Sequence, residues 1–138
     1  MEISGHVRSR GDDHTLTMRT GDAARSLAVP VGSSGRGSAV NGGELLMAAL
    51  ATCYCNDLYR EAERLGIAID GCEVAATASF NGIGLAAERI RYAARVESSA
   101  PPEQVEHLLS ETDRLAEIHN TLRAGCPVER VPWRDPAP

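Results

Sequence analysis

Lysine is missing from the 138 residues, so every permanent side-chain cation is an arginine. The 14 basic residues are scattered and are outnumbered by 19 acidic ones, for a formal net charge of −5. Binding to a phosphate backbone needs clustered cations, which excludes nucleic acid as the main partner. Aromatic residues are only 4% of the chain, so the core must be built from Leu, Ala, Val and Ile. No apolar run approaches the ~20 residues that span a bilayer, and no membrane segment is expected. The first residues, Met1 to His6, have neither the basic start nor the apolar stretch of a secretory signal. A cytoplasmic location follows as the expectation. In that reducing compartment cysteines are rarely structural disulfides and more often do chemistry.

Metal and nucleotide motifs are missing too. There is no Cys-x-x-Cys, and His6, His14, His107 and His119 have no partner His at ligand spacing. Cys53-Tyr54-Cys55 falls in an expected helix, where the two sulfurs diverge. Neither a structural metal nor a cofactor is expected. The Gly-rich stretch at residues 32–43 carries no Gly-Lys-Ser/Thr, and no Gly-x-Ser-x-Gly occurs anywhere.

What remains is the pattern of one α+β domain over residues 1–138. Short runs at residues 6–8, 15–20 and 26–31, separated by Gly11-Asp12-Asp13 and Gly21-Asp22, read as an antiparallel meander. After the Gly-rich loop, Asn41 and Glu44 have the spacing of a capping box. The Ala/Leu-rich helix they open runs to Leu65 and stops at Gly66. Its first half is apolar all round, which predicts burial. Residues 67–80 read as a strand with Val74, Ala76, Ala78 and Phe80 on one face, and Asn81-Gly82 as a hairpin turn. Ile90, Tyr92, Ala94 and Val96 alternate with more polar neighbours in the next strand. Val105, Leu108, Leu109, Thr112, Leu115, Ile118 and Leu122 predict a single helix over residues 103–123. Gly125 ends it, and a short strand at residues 129–133 precedes a Pro-rich end.

Four cysteines remain to be sorted. At ~100° per residue, Cys53 shares a helix face with Leu46, Ala49 and Leu50 on one side and Asn56, Asp57 and Arg60 on the other. It stands where an apolar stripe turns polar, both sheltered and reachable. Cys55 points about 200° away, towards Ala51, Leu58 and Ala62, and reads as a buried thiol. Cys72, in a strand, reads as structural. Cys126, between the helix-ending Gly125 and Pro127, sits in a constrained position unlike a core slot. Periodicity alone leaves Cys53 open as a functional thiol or a small core residue. His119 reads as a core or interface histidine.

The stretch from Gly42 to Cys53, Gly-Gly-Glu-Leu-Leu-Met-Ala-Ala-Leu-Ala-Thr-Cys, resembles the first hallmark of the OsmC/Ohr family of osmotically inducible and organic hydroperoxide resistance proteins. Gly125-Cys126-Pro127-Val128 resembles the second. The order of elements matches that family over nearly the whole chain. The resemblance implies an intertwined homodimer, with antiparallel sheets wrapped around two central helices. It also implies thiol peroxidase chemistry without a cofactor. Cys53 would attack an organic hydroperoxide and become a sulfenic acid, Cys126 would condense with it to a disulfide, and a dithiol would reopen the bond. In the hydroperoxide-reducing branches an arginine from an N-terminal strand activates the first cysteine, held by a glutamate ten residues before it. Here that glutamate position is Gly43, and Glu44 is its neighbour, which points to a looser OsmC-like branch. Arg19 is the candidate cation, Arg36 the second choice, and Arg60 is expected to pair with Asp57. The alternative functions on the same scaffold are a small-ligand binding protein without catalysis and a redox sensor.

Overall fold

A computed structural model describes residues 1–134; Pro136 and Pro138 of the expected Pro-rich end lie outside them. The chain forms two compact units, residues 1–47 and the remainder.

The first unit is a three-stranded antiparallel meander in the order β1-β2-β3: β1 (Ile3–Arg10), β2 (Asp13–Thr20) and β3 (Ala23–Leu27). Both connections are tight, and each places a glycine at positive φ, Gly11 at 57° and Gly21 at 54°. Positive φ is open to Gly at little steric cost. β3 therefore begins straight after its turn, pairing Ala23 with Thr20. It ends at Leu27 rather than continuing to Val31 as expected. Pro30 has no N–H for a ladder, and Val31 makes only an isolated bridge to Ser38.

Helix α1 (Gly42–Leu65) opens on the expected capping box. The Glu44 N–H donates to Asn41 Oδ1 at 2.9 Å, and the Asn41 N–H donates to Glu44 Oε2 at 2.8 Å. Gly66, at φ 68°, ends it. The apolar first half is not buried all round, since Ala48 and Ala49 are exposed. The buried stripe is instead Leu50, Tyr54, Leu58 and Ala62, at spacing i, i+4.

Strands β4 (Gly71–Ser79) and β5 (Arg89–Glu97) pair antiparallel, with Val74 opposite Ala94 and Ala76 opposite Tyr92. Cys72, Val74, Tyr92, Ala94 and Val96 pack against the stripe of α1. Asn81-Gly82 is not a two-residue hairpin turn. The connection runs from Phe80 to Glu88, whose N–H reaches the Ser79 carbonyl at 3.0 Å, and Gly84 at φ 77° turns the chain inside it.

The expected single helix over residues 103–123 is two helices, α2 (Pro102–Leu115) and α3 (Glu117–Ala124). The break is Ala116, fully buried and extended at φ −69°, ψ 108°. Asn120 bridges it, its Nδ2 donating to the Arg114 carbonyl at 3.0 Å and its backbone N–H to the Ala116 carbonyl at 3.0 Å. Gly125, at φ 65°, caps α3 as expected. The expected strand at residues 129–133 is not formed; those residues are exposed and pair with no strand among the described residues. A strand needs a neighbour for its backbone groups, and the described chain supplies none there.

Candidate active site

The break at Ala116 builds the surroundings of Cys53. It starts a new helix, and the first turn of that helix lies against α1. Cys53 Sγ is half-buried, 3.5 Å from Asp57 Oδ2 one turn along α1, and 3.9 Å from Glu117 Oε2. The Ile118 backbone N–H also reaches it. The sulfur thus sits at a helix N-terminus after all, that of α3 rather than of its own helix. That placement favours a thiolate.

Burial and the two carboxylates oppose it. The thiol pKa is pushed up, first by burial and then by Asp57 and Glu117, against the lowering effect of the Ile118 N–H. Asp57 is pushed up as well, chiefly by burial. Both groups are thus shifted towards their protonated forms, and Asp57, the nearer of the two carboxylates with its Oδ2 3.5 Å from the sulfur, is placed to take a proton from it.

Arg60 closes the cluster. Its Nη1 lies 2.7 Å from Asp57 Oδ1, the expected pair, and 3.6 Å from Glu117 Oε1, while its Nε lies 3.1 Å from Glu61 Oε1. Glu61, nearly fully buried, also takes Arg64 Nε at 2.5 Å. Cys53, Asp57 and Glu117 are the donor group among the described residues close enough to share an ion. Two of the three are carboxylates already engaged by a guanidinium, so the cluster is set up to balance charge internally.

A largely apolar cavity of about 300 Å³ is lined by Leu50, Ala87, Ile90, Tyr92, His119, Leu122 and Arg123. Leu50 is one turn before Cys53 on α1. His119 is a core residue, 4% exposed, set edge-on to Tyr92 with ring centres 4.5 Å apart. Burial, and then Arg123, hold its pKa down, which keeps the ring neutral. Arg123 Nη2 pairs with Asp113 Oδ1 at 2.6 Å, and that same carboxylate takes the Tyr92 hydroxyl.

Cys126 is exposed, directly after the cap of α3, its N–H 3.4 Å from the Thr121 carbonyl. No disulfide joins it to Cys53. Cys53 touches the first turn of α3 and Cys126 follows the last, and a helix of 8 residues is ~12 Å long. That exceeds the roughly 4.4–6.8 Å between Cα atoms that a disulfide requires. Arg19 is half-buried in β2, opposite Ser4 and Ala24. Arg36 is exposed in the Gly-rich loop between β3 and α1.

The sequence pattern anticipated the half-buried position of Cys53 beside a polar flank and the Asp57–Arg60 pair. It missed Glu117 and Ile118, because no Gly or Pro marks the break that brings them in. It also read Cys55 and Cys72 separately, and the fold places them in contact.

Two antiparallel sheets, a long helix carrying Cys53 and a broken second helix define an α+β fold. Residues 35–130 match the family model described as OsmC-like protein, and the chain belongs to that family. No curated protein matches it in sequence. Among solved structures, the fold is similar to an OsmC-like protein of Mycoplasma pneumoniae, with TM-score 0.63 and 17% identity, covering 88% of this chain and 86% of that one. It is also similar to an organic hydroperoxide resistance protein of Elizabethkingia anophelis, with TM-score 0.60 and 16% identity, covering 89% of each. A third is an organic hydroperoxide resistance protein OsmC of Legionella pneumophila, with TM-score 0.57 and 18% identity, covering 87% and 89%. No helix among the described residues is long and apolar enough to cross a membrane.

Proposed function

We propose that this protein is a thiol-dependent peroxidase that reduces organic hydroperoxides in the cytoplasm, using Cys53 and Cys126. The observation that carries the reading is the half-buried Cys53 sulfur, in reach of a carboxylate and one helical turn from Leu50 of the largely apolar cavity. Family membership supports it, since several relatives of the same fold are named for organic hydroperoxide resistance. The apolar part of the wall, Leu50, Ala87, Ile90 and Leu122, favours an alkyl or fatty-acyl peroxide over hydrogen peroxide.

Asp57 accepts the Cys53 proton, and the thiolate attacks the distal oxygen of the hydroperoxide. The O–O bond breaks, Cys53 becomes a sulfenic acid, and the leaving alkoxide takes the proton back from Asp57 to depart as the alcohol. Cys126 then displaces water from the sulfenic acid to form a disulfide, and a dithiol reduces it by exchange. Closing that disulfide requires the end of α3 to move, or a second copy of the chain to supply the thiol. Arg19 is the cation assigned to stabilise the thiolate in the working homodimer.

A redox sensor or ligand-binding protein is the second reading. The carboxylates that hold the Cys53 thiol protonated favour it, because a protonated thiol attacks peroxide slowly. The two separate on mixing reduced protein with excess cumene hydroperoxide and dithiothreitol. The peroxidase consumes peroxide catalytically, Cys53→Ser abolishes turnover, Arg19→Ala slows it, and Cys126→Ser, with dithiothreitol left out and one equivalent of peroxide, accumulates a sulfenic acid that dimedone traps. One-time oxidation without turnover would establish the sensor, and no reaction at either thiol the binding protein.

A further inference from the structure

The geometry points to a second dithiol site, Cys55 with Cys72, which closes to a disulfide by exchange with a low-molecular-weight disulfide. It uses neither Cys53 nor Cys126 and stands whether or not the peroxidase reading does.

The two sulfurs lie 3.3 Å apart and come from different elements, α1 and β4. That is closer than the ~3.5–4.0 Å of ordinary non-bonded carbon contacts. A disulfide bond is about 2.05 Å, so closure needs an approach of only about 1.3 Å. Both cysteines are half-buried, open enough for a small thiol reagent and sheltered enough to restrict hydrolysis. Cys72 faces inward with Val74, and its register against Val96 fixes its height on the sheet. Cys55 projects from the side of α1 away from Cys53. No third donor from His, Cys, Asp or Glu completes a metal cluster with this pair among the described residues. What the site offers is therefore the chemistry of two thiols alone.

Burial and the neighbouring Cys55 push the Cys72 thiol up, while the Tyr59 hydroxyl beside it acts in the opposite sense by stabilising the thiolate. The exchange runs in two steps. One protein thiolate attacks the small disulfide, forming a mixed disulfide and releasing one small thiol. The adjacent protein thiol loses its proton and displaces the second small thiol. Two protein thiols and one small disulfide thus become one protein disulfide and two small thiols. The bond ties α1 to β4, and a small dithiol reverses it. Two thiols that merely share an S–H···S hydrogen bond would do none of this.

The test uses Cys53→Ser/Cys126→Ser protein, incubated with oxidised glutathione, quenched in acid and alkylated with N-ethylmaleimide. Both remaining thiols should lose alkylation together, the mass should fall by two hydrogens, and dithiothreitol should restore both. Adding Cys55→Ser or Cys72→Ser should stop the reaction at a glutathione adduct on the surviving thiol. A persistent adduct in the parent double variant, or two thiols still fully alkylated while a Cys-x-x-Cys control peptide is oxidised, overturns the proposal. Wild-type protein covers the case of a poorly folded variant. Fragmentation of its oxidised peptides should show a Cys55–Cys72 link, and a Cys53–Cys55 link instead overturns the proposal equally.

Discussion

Burial, and then the carboxylates of Asp57 and Glu117, push the Cys53 thiol up, while the N–H of Ile118 opposes them. Its folded pKa lies above the ordinary thiol value, so its alkylation should accelerate only as pH rises past that ordinary value. Asp57→Asn removes one negative charge and leaves Arg60 paired with Glu61 and Glu117. The profile of iodoacetamide alkylation against pH should shift to lower pH in this variant, only partly, because burial remains. Peroxide turnover should fall at the same time, since the proton acceptor is lost. A thiol that becomes more reactive while peroxide turnover becomes slower is not what simple loss of structure produces. An unmoved alkylation profile would remove Asp57 from the mechanism. The stripe that exposes Cys53 was legible from its neighbours at i−3, i+3 and i+4. Glu117 was not, since its proximity depends on a backbone turn that its neighbours in sequence do not announce.

Helices and strands show the same division. The capping box, the stop at Gly66 and the cap at Gly125 all follow from local chemistry, and each is where the spacing put it. The inward faces of β4 and β5 are too, except at one end, where Phe80 falls beyond β4 and both it and Ile90 are exposed. Features set by tertiary contacts were not legible. The apolar run from Val105 to Leu122 keeps helical period straight through Ala116, and only the packing of a fully buried Ala116 and of His119 against Tyr54 and Tyr92 reveals the break. Leu108 anchors α2 in that core at 0% exposure. Leu108→Ala should cost about 2–5 kcal/mol, read as a lower urea midpoint with an unchanged slope. Asn41→Ala should cost about 1 kcal/mol by removing the N-terminal cap. If Leu108→Ala proved nearly neutral, the helix would not be packed as described.

A homodimer, as proposed, would account for what a single chain leaves undone. Ile83 is 106% exposed, Val128 99% and Trp133 73%, with Phe80, Leu85 and Val131 also open to water. Isolated exposed apolar residues are ordinary, but these fall in two segments, the β4–β5 connection and the stretch after α3, and the second was expected to be a strand. A strand that forms only against another chain would look like this in one copy. Ala48 and Ala49, on the exposed part of an otherwise apolar half-helix, fit the same account. The homodimer implied by the family resemblance would cover these surfaces. Sedimentation equilibrium should therefore return twice the chain mass at micromolar concentration. The single tryptophan of the sequence, Trp133, gives a second readout. Its emission should move to longer wavelength on dilution, as assembly is lost and water reaches the ring. A chain-mass particle with dilution-independent emission would mean that each copy works alone. Cys126 would then have to reach Cys53 by movement of α3 alone.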